Sequence, residues 1–232
     1  MKKAVIITAG GIGNRMKQNT PKQFIEIGSI PILMLSIKAF YLFDDKIQIV
    51  ITLPLHAILE WEKLVNKHGF EIPHQLVAGG ETRFHSIQNA LPYVQSADFV
   101  AIHDGVRPFV SQEMIQNAFI AAHDFDVAIP VNPVTDSIRI LKDEYLTFVD
   151  RNSVYSVQTP QCFRTEKITE AYQLGYKSDF TDDGSVYENC FGKLHFYPGI
   201  PENIKITNPA DLIIASALSE FFKNNASFPQ FG

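Results

Sequence analysis

Short β-branched runs alternate with helix-patterned segments along most of the chain, and this alternation restricts the fold more than any other feature. It predicts βαβ units, with strands in one sheet and helices covering it. Ala4-Val5-Ile6-Ile7-Thr8 reads as a buried first strand. Residues 31–43 read as a helix. Pro31 suits its first turn, where a missing N–H costs nothing, and Leu33, Met34, Ile37, Phe40 and Tyr41 fall on or near one face. Residues 47–53 form a second strand, ended by Pro54. Helices are predicted over 58–68 and 86–94, and a third strand over 99–103. Ser111, with Glu113 behind it, has the chemistry of a helix start. A fourth strand follows at 126–131. Helices at 165–176, 182–191 and 209–222, a short strand at 194–197 and a frayed tail at 223–232 complete the reading.

Between about 132 and 158 the period changes. Ser137-Ile138-Arg139-Ile140-Leu141 and Tyr145-Leu146-Thr147-Phe148-Val149 flank the turn-like Lys142-Asp143-Glu144. This predicts a β-hairpin with no helix between its strands. Its edges need covering, and both a surface excursion and a dimerisation arm fit.

A chain of 232 residues, 46% hydrophobic, can bury a full core, and no Pro/Gly/Ser-rich linker divides it. Twenty Lys and Arg against 25 Asp and Glu give a net charge of −5. That argues against a general nucleic-acid or membrane-surface binder, so any phosphate site must be a local concentration of cations. Cys162 and Cys190 are far apart and not in a CxxC pattern, which argues against zinc and a disulfide framework. They read as reduced thiols of a cytosolic protein. The apolar stretch at 4–9 is too short for a signal segment, and no run approaches the ~20 residues of a spanning helix. The 18 Phe read as core and dimer contacts.

Ala9-Gly10-Gly11-Ile12-Gly13-Asn14-Arg15-Met16 directly follows the first strand. Glycines there let the backbone turn tightly and bring N–H groups to an anion. A dinucleotide fingerprint would need glycine in place of Met16, and a P-loop would need Lys-Ser or Lys-Thr in place of Asn14-Arg15. Arg15 and Lys22 lie close behind the glycines. A lone GGxG is only a turn, but two cations at this spacing suit a triphosphate.

These features resemble the nucleotidyltransferases that activate sugars and polyols, and more narrowly the 2-C-methyl-D-erythritol 4-phosphate cytidylyltransferase family. The resemblance covers roughly residues 3 to 220. Besides the glycine loop it rests on Pro21-Lys22-Gln23-Phe24, Gly79-Gly80-Glu81-Thr82-Arg83, His103-Asp104-Gly105-Val106-Arg107-Pro108, Asp150-Arg151-Asn152, Gln158-Thr159-Pro160-Gln161, Phe180-Thr181-Asp182-Asp183 and Asn203-Ile204-Lys205-Ile206-Thr207. It implies a Rossmann-like, mostly parallel twisted sheet with helices on both faces, formed by one nucleotidyltransferase domain over 1–232. A protruding β-arm at about 132–158 would interlock a homodimer. CTP and Mg2+, the metal held mainly through CTP phosphates, would sit at the glycine loop.

The resemblance also assigns residues. Arg15, Lys22 and Lys205 are the catalytic cations. Ala9, Gly10, Gly11 and Gly13 bind the nucleotide, and Gly80, Glu81 and Ser86 read cytosine and ribose, with Glu81 where the family more often has Asp. Asp104, Arg107 and Thr159 hold the polyol phosphate. Ser137, in place of a usual threonine, and Arg151 reach the neighbouring subunit's site. The implied reaction joins two anions, and an already ionised phosphate needs no general base. His103 reads as a packed strand-end histidine, and Asp182-Asp183 as helix N-terminal dipole chemistry. Ribitol-5-phosphate cytidylyltransferases share nearly the same motifs and are the nearest alternative.

Overall fold

The computed structural model describes residues 1–10 and 21–223. Its strands are β1 (Lys3–Thr8), β2 (Glu26–Ile27), β3 (Ile30–Pro31), β4 (Gln48–Leu53), β5 (Gln75–Ala78), β6 (Phe99–Asp104), β7 (Val127–Pro133), β8 (Arg139–Lys142), β9 (Tyr145–Phe148), β10 (Tyr155–Val157), β11 (Gln161–Arg164) and β12 (Phe196–Pro198). Its helices are α1 (Ile32–Phe43), α2 (Leu55–His68), α3 (Arg83–Ala90), α4 (Gln112–Phe125), α5 (Thr165–Gln173), α6 (Asp183–Phe191) and α7 (Pro209–Lys223).

The main sheet runs β10-β7-β11-β6-β1-β4-β5, with β12 added on β7. β6, β1, β4 and β5 are parallel; β11 lies antiparallel between β6 and β7. Alternate side chains of each central strand feed opposite cores. Val5 and Ile7 pack with α1, α2 and α4, around Phe40, Trp61 and Phe119. Ala4 and Ile6 pack with α3, α5 and α6, around Phe84, Phe163 and Tyr172. These side chains are almost fully buried, which accounts for the unbroken apolar runs of the central strands. A third cluster joins α7 to the small β2–β3 hairpin through Ile27, Val106, Ile206 and Phe222.

The α/β reading and the hairpin are therefore realised. The predicted helix starts at 58 and 86 fall too late. α2 begins immediately after Pro54, and α3 begins at Arg83, where Thr82 caps it by accepting from the His85 N–H. α5 stops at Gln173, just before Gly175 at φ 90°. β5, β10 and β11 were not foreseen, because each is short and gains its place from its neighbours. The tail at 224–232 lies outside the described residues, while Lys223 ends α7.

The hairpin of β8 and β9 turns at Asp143-Glu144, both with positive φ, as a tight two-residue hairpin turn requires. Every residue of both strands is exposed, including Leu141, Tyr145, Leu146 and Phe148. At its base, β10 pairs with the far end of β7.

Candidate active site

Parallel register brings three strand ends together. Thr8 of β1 lies opposite Thr52 of β4 and Asp104 of β6, and Leu53 lies opposite Ala78 of β5. The loops after β1, β5 and β6 therefore share the carboxyl edge of the sheet, where open α/β folds bind ligands. A cleft there is lined by Ala9, Gly10, Lys22, Gly80, Glu81, Ser86, Asp104 and Lys205, among others. A second cleft holds Arg107, Gln158, Thr159 and Asp182, and shares Arg83, Asp104 and Lys205 with the first. One wall thus separates two neighbouring sites.

Lys22 and Lys205 reach the first cleft from segments 183 residues apart in sequence. Each is flanked by buried anchors. Gln23 donates to the Ala9 carbonyl at 2.8 Å, and Phe24 stacks on Trp61 with ring centroids 5.9 Å apart. Ile206 is fully buried, and its N–H donates to the Val106 carbonyl at 3.0 Å. The lysines are presented by fixed backbone. Arg15, Gly11 and Gly13 lie outside the described residues.

The Gly80 loop is held shut by Ser86, whose hydroxyl accepts from the Gly80 N–H at 3.0 Å and donates to the Thr82 carbonyl at 2.9 Å. A Cβ on Gly80 would stand 2.4 Å from His85 Cβ, so only glycine fits there. Ser86 therefore shapes the loop as well as lining the cleft, and Glu81 sits exposed at its rim.

Asp104 is the centre of the charge cluster. Its carboxylate lies 2.9 Å from Lys205 Nζ, 3.3 Å from Arg107 Nε and 3.5 Å from Arg83 Nε. Burial alone would raise this carboxyl. Arg83, Lys205 and Arg107 overcome that and hold it well below the usual carboxylate range. The buried anion in turn keeps three mutually repelling cations in one place. Arg107 is itself buried, and its guanidinium donates to the Asn203 carbonyl at 2.8 Å. It is not a surface arginine.

Thr159 and His103 fix the same corner. The Asp104 N–H donates to Thr159 Oγ1 at 3.0 Å. The Arg107 carbonyl can only accept, so His103 Nε2–H donates to it at 3.0 Å. Nδ1 then accepts from the Thr159 hydroxyl at 3.1 Å. His103 is fully buried, and burial pushes its pKa down to about 4. It is a packed histidine, as its place at a strand end predicts.

This depressed value has a consequence for stability. The folded pKa lies below the unfolded value of about 6.5, so the stabilisation is complete above pH ~6.5 and is lost as pH falls towards 4. Urea unfolding of the wild type should show roughly 2 kcal/mol less stability from this group at pH 5 than at pH 7. His103→Gln should lack that component. An equal pH dependence in both proteins would count against it.

Several site residues escaped the reading of the sequence. Gln23 ties Lys22 to the first strand, and Asn203 donates to the Thr159 carbonyl at 2.7 Å. Asp182 does cap α6, completing a capping box with Ser185. Asp183 lies in the first turn of α6, as the dipole reading has it, and its buried carboxylate also takes both terminal nitrogens of Arg83. The signal was an arginine and an aspartate in two quoted motifs 100 residues apart, and nothing local pairs them.

Ser137 and Arg151 stand exposed on the arm and line neither cleft of their own chain. Arg151 donates to the Thr135 carbonyl at 2.7 Å, which ties it to the strand leaving β7. Among the described residues no three His, Cys, Asp or Glu side chains gather as a metal cluster, and no helix is long and apolar enough to cross a membrane. Cys162 is buried, and burial raises its thiol well above the usual range.

Residues 3–220 match the family model described as IspD, 2-C-methyl-D-erythritol 4-phosphate cytidylyltransferase. The 2-C-methyl-D-erythritol 4-phosphate cytidylyltransferase of Bacteroides fragilis is 45% identical, across 94% of this chain and 100% of that one. The structure of 4-diphosphocytidyl-2C-methyl-D-erythritol synthase from Anaerococcus prevotii superposes with a TM-score of 0.81 at 28% identity, over 94% of this chain and 96% of that one. The cytidylyltransferase of Thermus thermophilus gives 0.73 at 28% identity, over 94% and 98%. None of these names is that of a ribitol phosphate enzyme. The chain belongs to the 2-C-methyl-D-erythritol 4-phosphate cytidylyltransferase family.

Proposed function

We propose that this protein transfers CMP from CTP to 2-C-methyl-D-erythritol 4-phosphate, releasing pyrophosphate and forming 4-diphosphocytidyl-2-C-methyl-D-erythritol, a step of isoprenoid precursor biosynthesis. The carrying observation is the pair of clefts that share Arg83, Asp104 and Lys205. CTP occupies the first, with cytosine and ribose at the Gly80, Glu81 and Ser86 loop and its triphosphate along Ala9, Gly10 and Lys22. The polyol phosphate enters the second, at Asp104, Arg107 and Thr159.

An oxygen of the substrate phosphate forms a bond to the α-phosphorus of CTP. The bond from that phosphorus to the bridging oxygen of the β-phosphate breaks, and pyrophosphate leaves with the electron pair. One like-charge pair at ~4 Å costs about 4 kcal/mol at an effective dielectric near 20, and several such pairs form on approach. Lys22, Lys205 and Arg15 offset that repulsion and hold the reacting groups in line. The nucleophile is already ionised, so no side chain has to take a proton.

Mg2+ fits this site as a metal carried by the nucleotide. Asp104 is engaged by three cations, which leaves Glu81 as the exposed carboxylate at the rim of the first cleft. Magnesium commonly takes one or two carboxylates together with substrate phosphates and water. When bound it would neutralise phosphate oxygens.

The same reading makes the protein a cytoplasmic homodimer. Support for the dimer is the arm, an exposed hairpin carrying Ile140, Leu141, Tyr145, Leu146 and Phe148 that calls for a covering surface. Ser137 and Arg151 would serve the partner's second cleft.

A pyrophosphate-release assay tests the activity. CTP, UTP, ATP and GTP are crossed with methylerythritol phosphate and ribitol 5-phosphate. Release is expected with CTP and methylerythritol phosphate, at least about 10²-fold above the other pairs in kcat/KM. Equal or greater release with ribitol 5-phosphate or another nucleotide would overturn the assignment.

A further inference from the structure

Arg83 differs from the cations singled out in the sequence. It is the first residue of α3, directly behind the glycine loop that faces the first cleft, yet it lines the second cleft too. Its terminal nitrogens donate to the two oxygens of Asp183 at 2.9 and 2.7 Å, and its Nε lies 3.5 Å from an Asp104 carboxylate oxygen. Asp183 is fully buried and accepts a further bond from the Tyr172 hydroxyl at 2.6 Å. Tyr172 is buried in turn and stacks on Phe84 with centroids 4.5 Å apart.

The guanidinium is therefore fixed in plane and direction. Of its five N–H donors, two meet Asp183, and the Nε that carries a third lies within ion-pair distance of Asp104. Two have no acceptor among the described residues, on a side chain that is 31% exposed at a wall common to both clefts. Stability alone is a poor reason for such a group, since a buried ion pair is often no better than packed apolar side chains. A rigid planar donor between two anion-binding clefts suits phosphoryl oxygens.

We propose that Arg83 is a further substrate-contacting residue, held by Asp183 and Tyr172 so that its remaining N–H groups meet phosphoryl oxygens where the two clefts join. This inference rests on the cytidylyltransferase reading. Asp183 and Tyr172 are positioning residues that act through Arg83. Because the contact forms where charge builds during transfer, its loss falls on kcat rather than on KM for either substrate.

Arg83→Gln/Asp183→Asn tests this without stranding a buried charge. Its kcat should fall on the order of 10²-fold, with both KM values within about threefold of wild type. In Arg83→Ala, added guanidinium should restore activity at least about tenfold by occupying the place beside Asp183, and should leave the wild type unaffected. A double variant with wild-type kcat, or an Arg83→Ala enzyme that guanidinium does not restore, would overturn the inference. A wild type that shows no turnover would instead overturn the cytidylyltransferase reading, and this inference with it.

Discussion

Lys22→Ala is expected to lower kcat by on the order of 10²–10³, the range for a lost donor to transition-state charge. That corresponds to roughly 3–4 kcal/mol at 1.36 kcal/mol per tenfold. The residue's position explains why so much rests on one lysine. Gln23 and Phe24, its next two neighbours, are buried; Gln23 donates to Ala9 just past β1, and Phe24 stacks on Trp61 of α2. The ammonium is thus brought to the cleft by an anchored backbone, and on the proposed function little reorganisation would be needed as the phosphates meet. The substitution leaves both anchors in place, so the melting temperature should change little. Steady-state pyrophosphate release beside a thermal melt checks both points. Near-normal turnover would remove Lys22 from the machinery.

The second large effect concerns the arm. If the protein is the homodimer proposed, Lys22→Ala and Arg151→Ala should each be nearly inactive, and mixing them with subunit exchange should restore about a quarter of wild-type activity. If Arg151 serves the partner, a mixed dimer has one site with both defects and one site with none. Random exchange makes about half of all dimers mixed, so about a quarter of all sites are intact. The placement of Ser137 and Arg151 on the exposed arm, away from both clefts of their own chain, motivates the test. No recovery, with exchange verified by native mass spectrometry, would place Arg151 in its own subunit's site.

What could be read from the sequence follows a physical rule. The central strands β1, β4 and β6 are apolar on both faces because both faces are covered, and such runs are visible without neighbours. The hairpin was visible because the turn-like Lys142-Asp143-Glu144 sits between two runs of strand formers, and the structure turns there with Asp143 and Glu144 at positive φ. β11 was missed because four residues, Gln161 to Arg164, carry no period of their own and form a strand by pairing with β6 and β7. Lys22, Lys205, Asp104 and the Gly80 loop were legible as motifs, each next to a strand end or a buried anchor. The long-range pairings were not legible. Arg83 with Asp183, and His103 with Thr159, are set by tertiary contact across 100 and 56 residues.

Lys22 and Lys205 both line the first cleft, and on the proposed function they let two phosphorylated compounds react. The most direct measurement is pyrophosphate release by Lys22→Ala/Lys205→Ala, at CTP concentrations shown by calorimetry to saturate it. The loss should exceed that of Lys22→Ala alone and reach on the order of 10⁴-fold in kcat, while the fold and nucleotide binding survive. A folded, CTP-saturated double variant turning over within about tenfold of wild type would show that the two lysines do not carry the transfer.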